Sequence, residues 1–255
     1  MTAPAAASAP CFLSCDWGTS VLRLRLVDGP TRRVLAVSRG DQGIAATFAA
    51  WRTAGARPED RGSFFSRILA EHLARIGDQA GTALAGLPLV ISGMASSTLG
   101  LCELPYAALP LALDGSGLTT ARLGPEEGLA HPVLLISGVR SQDDVMRGEE
   151  TQVLGALQLL GCADATVILP GTHSKWVMVK NNSVMHFHTF MTGECFALLK
   201  QHSILERTLS APQSDPSSAD EGDERLFDQG VALAFTGASL LHTLFSVRTL
   251  ALMDR

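Results

Sequence analysis

The chain has 255 residues, of which 46% are hydrophobic and 18% are charged, and its formal net charge at pH 7 is −5. This composition is typical of one large globular domain or two modest ones, and the scattered basic residues form no stripe for nucleic acid. The longest apolar runs are too short to span a membrane, and the five cysteines lack a zinc-binding spacing. These features predict a cytoplasmic protein with reduced thiols and no membrane or nucleic-acid partner.

The first half of the chain predicts a flexible tail at residues 1–10, then three consecutive strands, a helix and further buried strands. In "SVLRLRLV" leucines alternate with arginines, as expected for a strand with one buried face. His72 falls on the apolar face of the predicted helix and is interpreted as a residue at the edge of the core. The predicted elements are strands at 11–16, 20–27 and 32–38, a helix at 61–76, strands at 87–93 and 131–138, and a helix at 143–160.

The second half begins with the same order of elements. The stretch "ATVILPGTHSKWVMVKNNSVMHFHTFMTG" (165–193) predicts a strand, a Gly-Thr turn, a strand, a tight turn and a strand. This is a repeat of architecture, because the residue identities barely match. Helices are predicted at 193–208 and 225–247, with a polar loop between them at 210–224.

The turn after the first strand carries more chemistry than a hairpin needs. Asp16, Gly18, Thr19 and Ser20 combine a carboxylate, a glycine and two hydroxyls. A carboxylate at a strand end can hold Mg²⁺, and hydroxyl and amide donors can bind phosphate oxygens. On these residues alone, a hairpin turn in which Asp16 caps an amide is an equally good interpretation.

The second copy places Gly171, Thr172, His173 and Ser174 at the equivalent turn, followed by Lys175. Two such turns could clamp one polyphosphate, and phosphoryl transfer depends largely on positioning and charge neutralisation. His173 and Lys175 are candidate phosphate donors. The alternative is that both side chains simply lie on the surface of the turn.

Several longer motifs resemble one family. "DWGTS" followed by two strands resembles the first phosphate loop of the superfamily of sugar kinases, hexokinase, actin and heat-shock chaperones. "SGMASSTLGLCELPYAALP", "GVRSQDDVMRGEETQVLGAL", "LPGTHSKW" and "FHTFMTGECFALL" together resemble 2-dehydro-3-deoxygalactonokinases. The resemblance runs from about Cys11 to near the C-terminus.

The resemblance implies an α/β fold of two ribonuclease H-like lobes with mixed sheets, at 11–142 and 143–255. It also implies that ATP, with Mg²⁺, phosphorylates the 6-hydroxyl of 2-dehydro-3-deoxy-D-galactonate in galactonate catabolism. Asp16, Gly18, Thr19 and Ser20 would form the first phosphate loop, with Asp16 near the metal. Gly171, Thr172 and His173 would form the second.

A hydroxyl nucleophile also needs a general base within hydrogen-bond reach. Related sugar kinases use a carboxylate after a glycine at the start of a helix, and "MRGEETQ" offers Glu149 directly after Gly148. Glu149 is the preferred candidate, with Glu150 and Asp144 as alternatives. Glu149 and Glu150 could instead simply favour the helix N-terminus electrostatically.

The carboxylate of a keto acid calls for a charged donor, and arginine is well suited to that role. Three arginines are candidates, and a small-residue turn followed by "ELPY" is a candidate sugar-contacting wall or an ordinary loop. The predicted substrate-binding residues are Arg39, Gly93, Met94, Ser96, Ser97, Tyr106, Arg140 and Arg147.

The predicted second lobe has fewer strands than a complete ribonuclease H-like lobe needs. Family members continue with a helical segment and a strand-loop around adenosine that this sequence lacks, which predicts an incomplete lobe, uncovered apolar helix faces, weak ATP affinity and low activity. A homodimer is one expected consequence. The alternative functions are a non-catalytic carbohydrate or nucleotide sensor on the same fold, or an ATPase-driven conformational protein, although "GMASS" and "MRGEE" disfavour the latter.

Overall fold

The structure is a computed structural model, and it describes residues 11–55, 57–124, 131–208 and 221–253. The predicted tail at 1–10 and residues 210–220 of the predicted loop lie outside these residues, whereas residues 221–224 of that loop belong to a helix. The described strands are β1 (Cys11–Trp17), β2 (Leu22–Asp28), β3 (Val34–Gly40), β4 (Leu89–Gly93), β5 (Ala107–Ala108), β6 (Leu111–Ala112), β7 (Thr120–Leu123), β8 (Val133–Ile136), β9 (Val139–Arg140), β10 (Val145–Met146), β11 (Ala165–Leu169), β12 (Ser174–Lys180) and β13 (Ser183–Phe190). The α-helices are α1 (Ile44–Thr53), α2 (Arg61–Ala80), α3 (Glu149–Leu160), α4 (Thr192–His202), α5 (Glu221–Ala234) and α6 (Leu240–Met253).

The largest sheet has six strands in the order β3-β2-β1-β4-β8-β7. Its first three strands form an antiparallel meander, β4 pairs in parallel with β1, and β8 pairs in parallel with β4. A four-stranded sheet has the order β11-β12-β13-β6, and a short three-stranded sheet has the order β10-β9-β5. The predicted α/β class with mixed sheets is confirmed.

Two hydrophobic cores follow from the alternation of side chains along the strands. The first lies under the six-stranded sheet, where Leu13, Cys15 and Trp17 of β1 are buried against α2. The second is formed by residues between Ala107 and Phe187, including Val153 and Leu157 of α3 and Val177 of β12. Because every second residue of β1 enters the first core, Asp16 lies on the opposite, polar face of that sheet.

His72 is fully buried, as a residue of the first core. Its Nδ1 lies 2.7 Å from Ser38 Oγ and its Nε2 lies 3.1 Å from Gln42 Oε1. The backbone carbonyl of Gln42 in turn accepts a hydrogen bond from Trp17 Nε1 at 2.8 Å. The structure therefore places His72 inside the first core and not at its edge, and its ring helps to fix the segment that precedes α1.

Some elements differ from those predicted. The helix α1 was not predicted, and residues 143–148 form a turn and the short strand β10 ahead of α3. The single helix predicted at 225–247 is wrong, because residues 235–239 separate α5 from α6 and Gly237 adopts a φ of +78°. Glycine is the residue that most readily adopts such a left-handed conformation, and it ends helices for that reason.

The chain divides into two compact units. Among the described residues, the larger unit comprises those up to Leu169 together with Lys175–Thr189, and the smaller unit comprises Pro170–Ser174 and those from Phe190 onward. Large apolar side chains are exposed in the smaller unit: Leu226 and Phe227 on α5, Phe235 directly after it, and Leu240, Leu241 and Phe245 on α6. The incomplete lobe stays a prediction. The division into lobes at residue 142 stays a prediction. Among the described helices, none combines the length and apolar character needed to cross a membrane.

Candidate active site

The first turn, at residues 18–20, is held by the start of α1. The amide of Ile44 donates to the carbonyl of Gly18 at 2.9 Å, and the amide of Ala45 donates to the carbonyl of Thr19 at 3.1 Å. Gly43 packs so closely that a Cβ there would lie 2.3 Å from the carbonyl carbon of Ser20. The turn is therefore rigidly placed, while the side chains of Thr19 and Ser20 are exposed.

Asp16 lies just before this turn, on the polar face of the sheet. One of its carboxylate oxygens, Oδ2, accepts a hydrogen bond from Arg23 Nη1 at 3.0 Å. The carboxylate lines a cavity of about 550 Å³ together with Arg25, Ser92 and Thr151. Because Mg²⁺ is commonly held by one or two carboxylates and the substrate phosphates, Asp16 and this cavity fit such an ion.

The second turn repeats the construction of the first, within the smaller unit. The amide of Glu194 donates to the carbonyl of Thr172 at 3.0 Å, and a Cβ on Gly193 would lie 2.5 Å from the carbonyl oxygen of Gly171. His173 Nε2 lies 2.5 Å from Glu194 Oε2. Gly171 itself has no described atom within 4 Å of the position of a Cβ, so packing does not explain why glycine stands there.

We expect Gly43→Ala to shift the first turn, because its new methyl group would overlap the backbone of Thr19 and Ser20. Overpacking of this kind costs about 1–3 kcal/mol of unfolding free energy. Gly155→Ala is the matched control, since Gly155 is exposed within α3, has open space around it, and should gain about 0.5–1 kcal/mol as alanine. Urea unfolding of both variants measures this, and equal stabilities would contradict the packing argument.

Two glycines pack against each other where the end of β4 meets the start of α3. A Cβ on Gly93 would lie 2.8 Å from the carbonyl oxygen of Trp17, and a Cβ on Gly148 would lie 3.1 Å from the Cα of Gly93. Both residues have positive φ angles, +90° and +109°. Gly93 therefore stands between the residue that precedes the first turn and the residue that precedes Glu149.

Three predicted substrate-binding residues meet beside this junction. Arg147 Nη1 donates to the carbonyl oxygen and to Oγ of Ser96, each at 2.6 Å. The same guanidinium lies over the ring of Tyr106, 4.1 Å from its centroid. Arg147 Nε is buried and has no hydrogen-bond partner among the described residues. This Arg147 cluster, made of Ser96, Tyr106 and Arg147, thus leaves one donor unsatisfied.

The other predicted substrate-binding residues lie elsewhere or are used internally. Ser97 Oγ donates to the carbonyl of Met94 at 2.7 Å, and the side chain of Met94 packs against the first core. Arg39 is exposed on β3, in register with Arg23. Arg140 is exposed on β9 and lines a separate cavity of about 320 Å³ with Met185 and His186.

The three candidate bases have different surroundings. Asp144 accepts hydrogen bonds from the amide and hydroxyl of Thr189, at 2.7 and 2.8 Å, and from the amide of Val145 at 2.7 Å. Glu150 is fully buried, and both of its oxygens lie within 2.9 Å of the Gly148 amide that donates to them. Glu149 is partly exposed, and its Oε2 accepts from the Arg147 amide at 3.0 Å. Glu149 is thus the candidate with both exposure and a carboxylate oxygen not hydrogen-bonded by a described group.

Known proteins of one family are similar to this chain over nearly its whole length. The family model of 2-keto-3-deoxy-galactonokinase matches residues 16–255. The chain belongs to this family. It is 36% identical over 238 residues to "Probable 2-dehydro-3-deoxygalactonokinase DgoK1" of Rhizobium meliloti, covering 93% of this chain and 70% of the relative. It is 29% identical over 241 residues to the 2-dehydro-3-deoxygalactonokinase of Escherichia coli, with the same coverage of each chain.

The fold of the family is also known from a solved structure. The "Crystal structure of a putative 2-dehydro-3-deoxygalactonokinase protein from Sinorhizobium meliloti" superposes with a TM-score of 0.70 at 33% identity, covering 93% of this chain and 71% of that chain. The predicted family is therefore confirmed.

Several residues of the site were missed by the sequence analysis. In both copies of the repeat a glycine stands three residues after the third strand, and these residues, Gly43 and Gly193, hold the two turns. This equal spacing in the two copies is the pattern in the sequence that points to both glycines. The structure places the side chain of Lys175, a predicted phosphate donor, in a buried position with its ammonium 3.9 Å from Glu149 Oε1. Glu194 was not singled out at all.

Burial raises the pKa of the Glu150 carboxyl to about 8, far above its ordinary value. The pKa of Glu150 is higher in the folded than in the unfolded protein. Its contribution to the unfolding free energy is therefore complete below about pH 4.5 and is lost as the pH rises through 8. We therefore expect the unfolding free energy to fall by up to about 1.4 kcal/mol per pH unit between pH 5 and 8. Glu150→Gln should flatten this slope in urea unfolding, and equal slopes in both proteins would contradict the assignment.

Proposed function

We propose that the protein is an ATP-dependent kinase that phosphorylates the 6-hydroxyl of 2-dehydro-3-deoxy-D-galactonate. The observation that carries the proposal is the junction at Gly93, which lies between the phosphate-binding candidates after β1 and Glu149 at the start of α3. The names of the two curated relatives support the same substrate.

In the proposed reaction, Glu149 accepts the proton of the 6-hydroxyl. The hydroxyl oxygen forms a bond to the terminal phosphorus of ATP as the bond between that phosphorus and the ADP oxygen breaks. Glu149 suits this step because it is partly exposed at the N-terminus of α3 and is oriented by the Arg147 amide. The products are the 6-phosphate and ADP.

The first turn is proposed to bind the phosphates of ATP. Within the described part of the chain the hydroxyls of Thr19 and Ser20 have no hydrogen-bond partner, and α1 fixes the backbone beneath them. Gly171, Thr172 and His173 are proposed to bind phosphate in the same way within the smaller unit. Mg²⁺ would be held by Asp16 and would neutralise phosphate charge when bound.

The Arg147 cluster is proposed to bind the carboxylate of the sugar acid. One edge of the guanidinium is used by Ser96, and the buried Nε on another edge lacks a partner. A carboxylate that reaches this edge would satisfy Nε, and arginine can present two donors to it at once. Tyr106 supports the guanidinium from its face and offers a hydroxyl to the substrate.

An ADP-release assay with purified protein, ATP, Mg²⁺ and the keto-deoxy sugar acid tests the proposal. We expect ADP formation that depends on the sugar acid, and no comparable rate with the corresponding neutral sugar. Binding of the sugar acid without any ADP release would instead support the sensor alternative. The predicted weak ATP affinity and the homodimer stay predictions, which titration calorimetry and sedimentation of this chain can test.

A further inference from the structure

Lys175 is a buried cation in the core of the larger unit. Its side chain is only 6% exposed, although β12 begins at the second turn. The ammonium donates to the carbonyl oxygen of Val145 at 3.1 Å and to Oγ1 of Thr189 at 2.8 Å. Both acceptors are neutral, so these two hydrogen bonds do not compensate the positive charge.

The compensating charge is supplied by Glu149. Its Oε1 lies 3.9 Å from Lys175 Nζ, which is the ion pair that Lys175 forms among the described residues. Asp144 reaches the ammonium only through the hydroxyl of Thr189, which donates to Asp144 Oδ1 at 2.8 Å, and forms no direct ion pair with Lys175 among the described residues. A buried ammonium without an opposite charge is strongly unfavourable, so the pairing with Glu149 is needed on energetic grounds.

The pairing also fixes the carboxylate of Glu149. Its Oε2 is oriented by the Arg147 amide and its Oε1 faces Lys175, so the carboxylate is held from two sides. An ammonium has three donors, and two of them are used by Val145 and Thr189. Glu149 Oε1, at 3.9 Å, is within ion-pair distance but beyond hydrogen-bond distance of the ammonium, which the other two contacts hold in place.

We propose that Lys175 is a positioning residue for Glu149, which balances its negative charge and fixes its orientation toward the reacting hydroxyl. The inference rests on the proposed role of Glu149 as the base. On this inference Lys175 acts beside the base Glu149 and does not bind the phosphates. A small displacement of a catalytic group can lower the rate about 10²-fold. Loss of Lys175 should therefore lower kcat without weakening the binding of ATP or of the sugar acid.

The test compares Lys175→Gln and Lys175→Met with the wild type. Glutamine keeps a donor for Val145 or Thr189 without the charge, and methionine removes both. We expect kcat to fall about 10- to 100-fold, with KM for the sugar acid and for ATP within about threefold of the wild-type values. Lys180→Met, at an exposed lysine of the same strand, is the control and should change none of these values.

A double-mutant cycle separates a positioning role from a purely structural one. If Lys175 acts through Glu149, Lys175→Gln should not slow an enzyme that already carries Glu149→Gln. Multiplied losses in the double variant, a wild-type kcat in folded Lys175→Gln, or a raised KM for ATP with unchanged kcat would each overturn the inference. Full activity of Glu149→Gln alone would overturn the base assignment instead, so the two failures can be told apart.

Discussion

Glu149→Gln should lower kcat about 10²- to 10⁴-fold, which is the usual contribution of a general base. Glutamine has nearly the same shape and can still accept the hydrogen bond from the Arg147 amide, so the start of α3 should be preserved. What is lost is the ability to take up the proton of the 6-hydroxyl. Steady-state ADP release measures the effect, and KM for ATP should stay within about threefold because Glu149 is not proposed to contact ATP before the reaction.

Glu150→Gln is the matched control for this prediction. Glu150 is adjacent in sequence, but it is fully buried and both of its oxygens face the Gly148 amide. We expect this variant to keep kcat within a few-fold of the wild type. The opposite pattern, with an active Glu149→Gln and an inactive Glu150→Gln, would move the role of base to Glu150.

Arg147→Gln should lower kcat/KM for the sugar acid about 30- to 10³-fold, since hydrogen bonds to charged groups contribute roughly 1.5–3 kcal/mol and the ion pair adds to them. The reason is that the proposed carboxylate contact uses an arginine edge that has no other partner. KM for ATP should change little. Initial rates over a series of sugar-acid concentrations at saturating ATP measure the effect.

Two further variants make the Arg147 result specific. Arg52→Gln changes an exposed arginine at the end of α1 and should leave both KM values unchanged. Arg140→Gln tests the other arginine near the predicted base in sequence, which lines a separate cavity. A large rise in KM for the sugar acid with Arg140→Gln, together with an unaffected Arg147→Gln, would place the carboxylate at Arg140.

Local patterns were sufficient to predict much of the fold. The alternation of leucine and arginine in β2 and the repeated order of strand, turn and strands predicted both meanders, because side-chain direction on a strand follows directly from sequence. The helix α1 was missed since its sequence, "IAATFAAWRT", has only a weak division into apolar and polar faces. The break before α6 was missed although Gly237 stood at that position.

The candidate site was predictable only in part for a related reason. Residues close in sequence, such as Arg147 and Glu149, could be proposed together from one motif. The contacts of Lys175 with Glu149, and of Arg147 with Ser96, join residues 26 and 51 positions apart. Such contacts depend on how β12 and β4 are placed beside α3, and spacing along the chain does not determine that placement.

The most direct test of the central claim is ³¹P NMR of the reaction of ATP with 2-dehydro-3-deoxy-D-galactonate. The proposed assembly of phosphate turn, Arg147 and Glu149 predicts one new phosphomonoester on the C6 oxygen, formed in amounts equal to ADP and strongly reduced with Glu149→Gln. Release of inorganic phosphate without a phosphorylated sugar acid, or phosphate on a different hydroxyl, would contradict it.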